Sequence, residues 1–289
     1  MSSNVSRRTL IAGAGAAVAA TTAGIALSSA AEASDSASAS KPTVVLVHGG
    51  FADATASWND VVAQLQQRGY PVIAPANPLR TLASDSAYIA SILNNIPGPI
   101  ILAGHSYGGA VITNAAASAP NVKALVYVAA FVPDTGEALG GLIGSYPGSE
   151  IQAALNPVPY PNPDGTTGVD LYLQADQLRR VFAADLPAST TRIMAATQRP
   201  FGAQCFADLT QAAAWHTTPS WRLIATEDKA IPPALQRFEY QRAGARKTVS
   251  VAASHCAMSL FHPDSAGRWV LRDQCQERSR WSHRVDLAA

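Results

Sequence analysis

Three features of the 289-residue chain predict an α/β fold built on a mainly parallel, doubly wound sheet of about six strands, with a helical cap inserted over it. Short apolar runs alternate with helical stretches, the arrangement of parallel strands joined by right-handed crossovers. The first of these runs is continuously apolar, as in a strand covered on both faces. Hydrophobic residues make up 48% of the chain, enough for one large core at this length.

Taken in order, the first apolar run is Thr43 to Val47, rich in β-branched residues, and it is repeated at Pro71 to Ala74, Pro99 to Ala103, Val122 to Val128, Trp221 to Ala225 and Thr248 to Val251. Helical patterns lie between them: Ser57 to Arg68 closed by Gly69, Ser84 to Asn95, and Tyr107 to Ala119 ended by Pro120. The alternation breaks from about Asp134 to Pro219, where Pro, Gly and Asn accumulate and helical pieces occur at Ala175 to Ala184 and Pro187 to Thr197. That stretch is expected to be the cap. Of its large apolar residues, Tyr146, Phe182, Met194 and Trp215 are expected to join Gly50 in lining a substrate pocket, with Leu171, Tyr172 and Phe201 as further candidates.

Ahead of the first strand, Ser6-Arg7-Arg8-Thr9-Leu10 precedes a weakly apolar, Ala/Gly-rich run from Ile11 to Leu27, and Ala31-Glu32-Ala33 has the small-x-small form of a cleavage site. Residues 1–33 are therefore expected to be a twin-arginine-like signal peptide and residues 34–40 a flexible Ser/Ala leader, giving a secreted or cell-envelope protein. The run is short and broken by Thr21 and Thr22, so stable membrane anchoring is not expected.

Charge and cysteine usage exclude other classes. Lys and Arg number 21 against 20 Asp and Glu, and removing Arg7, Arg8 and Glu32 with the signal leaves the two signs equal. A neutral surface has no general attraction for nucleic acid or anionic lipid. Cys205, Cys256 and Cys275 form no C-x-x-C pair and allow one bridge at most, and the six histidines have no close ligand spacing. No metal and no cofactor are expected.

The chemistry is concentrated in four short segments. Gly104-His105-Ser106-Tyr107-Gly108 is a G-x-S-x-G sequence that follows one apolar strand and opens a helix, the context of a nucleophile elbow. Small residues on both sides let the backbone turn sharply, so that the Ser106 hydroxyl stands above the sheet where helix N–H groups favour developing negative charge. His48-Gly49-Gly50-Phe51 follows the first strand, and its glycines allow the loop to fold back so that the Phe51 and Tyr107 amides make an oxyanion hole. His48 is expected to brace this loop. A serine hydroxyl needs a base, and His255, just past the last strand in Ala253-Ser254-His255-Cys256, is placed to supply it. The carboxylate partner is expected in Thr226-Glu227-Asp228-Lys229: Asp228 is preferred for its short side chain, with Glu227 as the near alternative and Asp134 as the distant one. The order Ser, Asp, His is that of the α/β-hydrolase arrangement.

Together, Val47-His48-Gly49-Gly50-Phe51, Gly104 to Gly109, Glu227-Asp228-Lys229-Ala230-Ile231-Pro232-Pro233 and Ser254-His255 resemble the α/β-hydrolases, specifically bacterial proteins related to small carboxylesterases, from Lys41 to about Asp264. The layout is also similar to that of plant methyl-ester esterases and hydroxynitrile lyases. This resemblance implies a cofactor-independent serine hydrolase that cleaves small uncharged carboxylic esters through an acyl-enzyme. The alternative is a ligand-binding protein on the same scaffold with little or no catalysis. The lyases characteristically carry Lys directly after the histidine, where this chain has Cys256, a departure that argues against cyanohydrin cleavage. The family usually ends in an amphipathic helix, whereas residues 268–289 are Arg-rich, with Arg268, Arg272, Arg278, Arg280 and Arg284. A diverged helix, an added segment and a changed reading frame all remain open for that tail.

Overall fold

The computed structural model describes residues 41–263 and 269–271. The expected signal peptide, the leader and all of the Arg-rich tail except 269–271 lie outside the described residues. Six strands, β1 (Thr43–Val47), β2 (Val72–Ile73), β3 (Ile100–His105), β4 (Val122–Val128), β8 (Ser220–Ala225) and β9 (Lys247–Val251), form one sheet in the order β2-β1-β3-β4-β8-β9. Every pairing in it is parallel. All six coincide with the apolar runs; burial selects such residues most strongly in the central strands β1 and β3, while β2 and β9, at the sheet edges, are largely exposed. Helices α1 (Ala54–Gln67), α2 (Leu82–Asn94), α3 (Tyr107–Ala115) and α8 (Pro233–Arg242) flank the sheet. The Asp53 carboxylate accepts from the Ala56 amide to cap α1, and the Thr81 hydroxyl accepts from that of Ser84 to cap α2. Helix α3 stops four residues earlier than its pattern suggests and finishes in a 3-10 turn, Ala116–Ser118.

Chain order reverses between β1 and β3, which lie side by side with Val47 opposite Gly104. A crevice opens at the carboxyl ends of such strands, and this is where open α/β sheets bind their ligands. The loops that leave these two strands begin with His48 and Ser106.

Between β4 and β8 the cap contains α4 (Leu139–Gly144), β5 (Leu155–Pro161), β6 (Thr167–Leu173), α5 (Ala175–Phe182), α6 (Ala188–Ala196), β7 (Phe201–Gly202) and α7 (Gln204–Ala207). It is therefore not purely helical: β5, β6 and β7 form a three-stranded antiparallel sheet. Pro157, Pro159 and Pro161 make β5 read as a loop. Spaced by two, they all fall on the same edge of the strand, and β5 pairs only with β6, so one edge is free to lack N–H donors. Near the end of the described chain, β10 (Phe261–Pro263) pairs antiparallel with β11 (Trp269–Leu271), so this part of the tail is strand and not helix. Among the described residues no helix is long and apolar enough to cross a membrane.

Candidate active site

Ser106 lies between β3 and α3, as the residue that precedes the helix, with φ 54° and ψ −124°, a backbone conformation that L-residues rarely adopt. Close packing of small neighbours holds it there. A Cβ on Gly108 would lie 2.4 Å from the Val47 carbonyl oxygen, and one on Gly49 would lie 2.7 Å from Ser106 Cβ. The loop after β1 thus presses directly on the turn at Ser106, and only glycines permit the approach. The Ser106 carbonyl accepts from the amides of Gly109 and Phe131 at 3.0 and 3.2 Å.

Phe51 also has a positive φ, 63°, and its carbonyl accepts from the Arg199 amide at 3.1 Å. No hydrogen-bond acceptor within the described residues engages the Phe51 or Tyr107 amide. Each is therefore available to a ligand, Tyr107 as the first residue of its helix. His48 braces this loop as expected: its Nε2 accepts from the Asn77 amide at 2.9 Å and its Nδ1 donates to the Gly49 carbonyl at 2.9 Å. Burial lowers its pKa to about 4, so it stays neutral in this role. The Tyr107 hydroxyl donates to buried Asp85 at 2.7 Å, which anchors the residue after Ser106.

His255 and Asp228 meet deep in the protein. The His255 Nδ1 is 2.8 Å from Asp228 Oδ2, and both side chains are almost fully buried. Every other neighbour of the carboxylate is a donor: the Ala230 and Ile231 amides reach Oδ1 at 2.8 and 2.9 Å, and Gln236 Nε2 reaches Oδ2 at 2.8 Å. That environment keeps Asp228 an acceptor and places the proton of the neutral imidazole on Nδ1. The His255 Nε2 is buried and has no partner among the described residues. The alternatives are not brought to this histidine. Glu227 is exposed, and Asp134 pairs with His216 at 3.0 Å.

The crevice beside Ser106 has an empty volume of about 310 Å³, part of it open to solvent. Of the expected lining residues, Gly50 and Phe182 are present, as is Phe201 of the further candidates. Phe51, Tyr107, Phe131, Ile143, Ile151, Phe206, Ala230 and Ile231 complete the wall, and none of the lining side chains is charged. Three expected residues lie elsewhere. Tyr146 packs its ring on Phe238 at 5.5 Å. Met194 lines a second, smaller hollow with Phe51, Ala52, Ala56, Leu178, Phe182 and Thr197. Trp215 is buried, with its indole N–H given to the Pro133 carbonyl at 2.9 Å and its ring stacked on His216. Apolar character alone does not separate pocket from packing.

Sequence reasoning missed the residues that support the polar groups. Gln236, in the first turn of α8 after the acidic loop, carries no local signal for its contact with Asp228. His105, inside the elbow, donates from Nε2 to the His255 carbonyl at 3.0 Å. Burial, then the adjacent His255, holds the His105 pKa well below the ordinary histidine value. Cys205 and Cys256 are buried free thiols, and Cys275 lies outside the described residues. Among the described residues no group of three His, Cys, Asp or Glu side chains could hold a metal ion.

A sequence model of the alpha/beta hydrolase family matches residues 44–270. A carbendazim hydrolyzing esterase from Nocardioides sp. (strain SG-4G) is 32% identical over 122 residues, which is 38% of this chain and half the length of that esterase. The structure is similar to that of polyneuridine aldehyde esterase, with a TM-score of 0.66 and 20% identity over 75% of this chain and 93% of the other. It is also similar to a pyrethroid hydrolase from Sphingobium faniae JZ-2, with a TM-score of 0.58 and 24% identity over 75% and 91%.

Proposed function

Since the chain belongs to the alpha/beta hydrolase family, we propose that it is a serine hydrolase that cleaves small, uncharged carboxylic esters through an acyl-enzyme. The observation that carries this reading is the state of His255: Asp228 holds Nδ1, while Nε2 is left without a partner as a ready acceptor. In the proposed cycle the Ser106 oxygen attacks the ester carbonyl and its proton passes to His255 Nε2. Asp228 stabilises the imidazolium, and the Phe51 and Tyr107 amides donate hydrogen bonds to the developing oxyanion. Collapse of the tetrahedral intermediate expels the alcohol with the proton from His255. Water, activated by the same imidazole, then releases the acid and restores Ser106.

The uncharged, aromatic wall supports an apolar acyl or alcohol group of limited size. The names of the relatives, which are esterases and a hydrolase, agree with that class. The test is a p-nitrophenyl ester series from acetate to palmitate, combined with fluorophosphonate labelling. Expected are a burst of p-nitrophenol, labelling that disappears in Ser106→Ala, and a kcat/KM maximum at a short chain. No burst and no labelling would mean a binding protein, and a maximum at palmitate would mean a lipase. Export by the twin-arginine route is proposed on the Ser6 to Ala33 sequence.

A further inference from the structure

The segment that carries His255 has no regular secondary structure of its own after β9, so its position depends on contacts brought from elsewhere. Two of these come from one turn of the cap. Both Asp185 carboxylate oxygens face Ser254: Oδ2 accepts from the Ser254 amide at 2.7 Å, and Oδ1 accepts from the Ser254 hydroxyl in a short contact. On the other side of His255, the Cys256 amide donates to the Phe182 carbonyl at 3.2 Å, at the end of α5. The turn from α5 to α6 is itself pinned, with the Leu186 amide on the Ala183 carbonyl at 3.1 Å and Arg179 Nε donating to the Leu186 carbonyl at 3.2 Å. The Phe182 ring, which lines the pocket, lies 4.8 Å from the His255 ring.

We propose that Asp185 is a positioning residue that sets the location of His255 by clamping Ser254 from the cap. The proposal rests on His255 acting as the base. Asp228 restrains the imidazole at Nδ1 but leaves the backbone on which the ring is mounted free to shift. The His105 bond to the His255 carbonyl and the Phe182 bond to Cys256 restrain one side of that backbone. On the other side the Ala253 carbonyl accepts from the Glu227 amide at 3.0 Å, and Asp185 holds Ser254, the residue next to His255. The two charge-assisted bonds of Asp185 are of the stronger kind, and removing them leaves the Ser254 amide unpaired. Misplacement of a catalytic group by about 1 Å costs on the order of a hundredfold in rate. Because Phe182 and Asp185 belong to one short stretch, the pocket wall and the base are set by the same piece of cap.

The experiment compares wild type, Asp185→Ala, Asp185→Asn, Ser254→Ala and the Asp185→Ala/Ser254→Ala double variant on p-nitrophenyl acetate, with fluorophosphonate labelling rates and thermal melts. Asp185→Ala is expected to lower kcat by about 10- to 100-fold and labelling in parallel, with KM changed less than about threefold. Ser254→Ala, which keeps the amide bond, should lose less, and the double variant should be no slower than Asp185→Ala alone. Asn keeps one acceptor for the amide and should lie between wild type and Ala. This variant and Ser254→Ala decide the matter if Asp185→Ala does not fold. A raised KM with unchanged kcat, unchanged kinetics in Asp185→Asn and Ser254→Ala, or losses that simply multiply in the double variant would overturn the proposal. Wild-type protein that is neither labelled nor shows a burst would overturn the serine-hydrolase reading instead.

Discussion

Replacing Asp228 by Asn exchanges one oxygen for an NH2 group in a site where every neighbour is a donor. The carboxylate faces the Ala230 and Ile231 amides on one oxygen, and Gln236 Nε2 and His255 Nδ1 on the other. Asparagine offers a single acceptor. If its oxygen stays with the two backbone amides, its NH2 is directed at Gln236 and His255. Gln236 has little freedom to adapt, because its Oε1 accepts from the Ala225 amide and its Nε2 also donates to the Ile231 carbonyl. The accessible response is for His255 to present a bare Nδ1, which moves the ring proton to Nε2. That nitrogen can then no longer take the Ser106 proton. A tautomer error of this kind costs about four orders of magnitude in kcat, equivalent to about 5.4 kcal/mol in the barrier. The opposite orientation sets the NH2 against two main-chain amides that cannot turn away. Stability should fall by only about 1–3 kcal/mol, the cost of a donor left unpaired, so the variant remains folded. The assay is kcat for p-nitrophenyl acetate on enzyme whose fold is checked by circular dichroism, with Glu227→Gln in parallel. Glu227 is exposed and should tolerate the change. Retention of more than about a tenth of wild-type kcat in Asp228→Asn, or inactivity of Glu227→Gln in its place, would refute the reasoning.

Three further outcomes are expected. Gly108→Ala would place a Cβ against the carbonyl oxygens of Val47 and His48 at 2.4 and 2.8 Å, both main chain, and should cost about 2–3 kcal/mol, read as a lower denaturant midpoint; an unchanged midpoint would show that the elbow is looser than its geometry. Burial raises the Glu239 pKa to about 8, against the Val132 amide and Arg242, which favour the charged form. The folded protein then holds a proton that the unfolded chain releases near 4.5, so stability should decline as pH rises from about 4.5 toward 8, and urea titrations of Glu239→Gln should show this slope flattened. Changing Arg7 and Arg8 to Lys should leave folded, active protein in the cytoplasm, and fractionation that finds export undiminished would remove the twin-arginine assignment.

Local chemistry wrote much of this protein legibly. A strand buried on both faces must be apolar, which made β1 and β3 plain in the sequence, and the remaining strands of the sheet could be read from shorter apolar runs. The strained turn at Ser106 demands small neighbours, so Gly104, Gly108 and the two glycines after His48 announced the elbow and the loop that closes on it. Asp228 and His255 could be proposed from sequence because each stands in the loop that leaves a strand, where loops deliver side chains to the sheet's carboxyl edge. Side-chain length gave only a preference for Asp228 over Glu227, with Asp134 as a distant alternative, because which carboxylate meets the imidazole depends on which one the fold turns inward. Tertiary structure also decided the cap. Its prolines hide a strand whose free edge exists only once β6 pairs on the other side, and Tyr146, Met194 and Trp215 differ from Phe201 and Phe206 in position and not in kind. Asp185 and Ser254 are 69 residues apart, and His105 and His255 are 150 apart. Contacts of that range leave no periodicity or motif in a single sequence, since each residue type is ordinary where it stands and acquires its meaning only from the partner that folding brings to it.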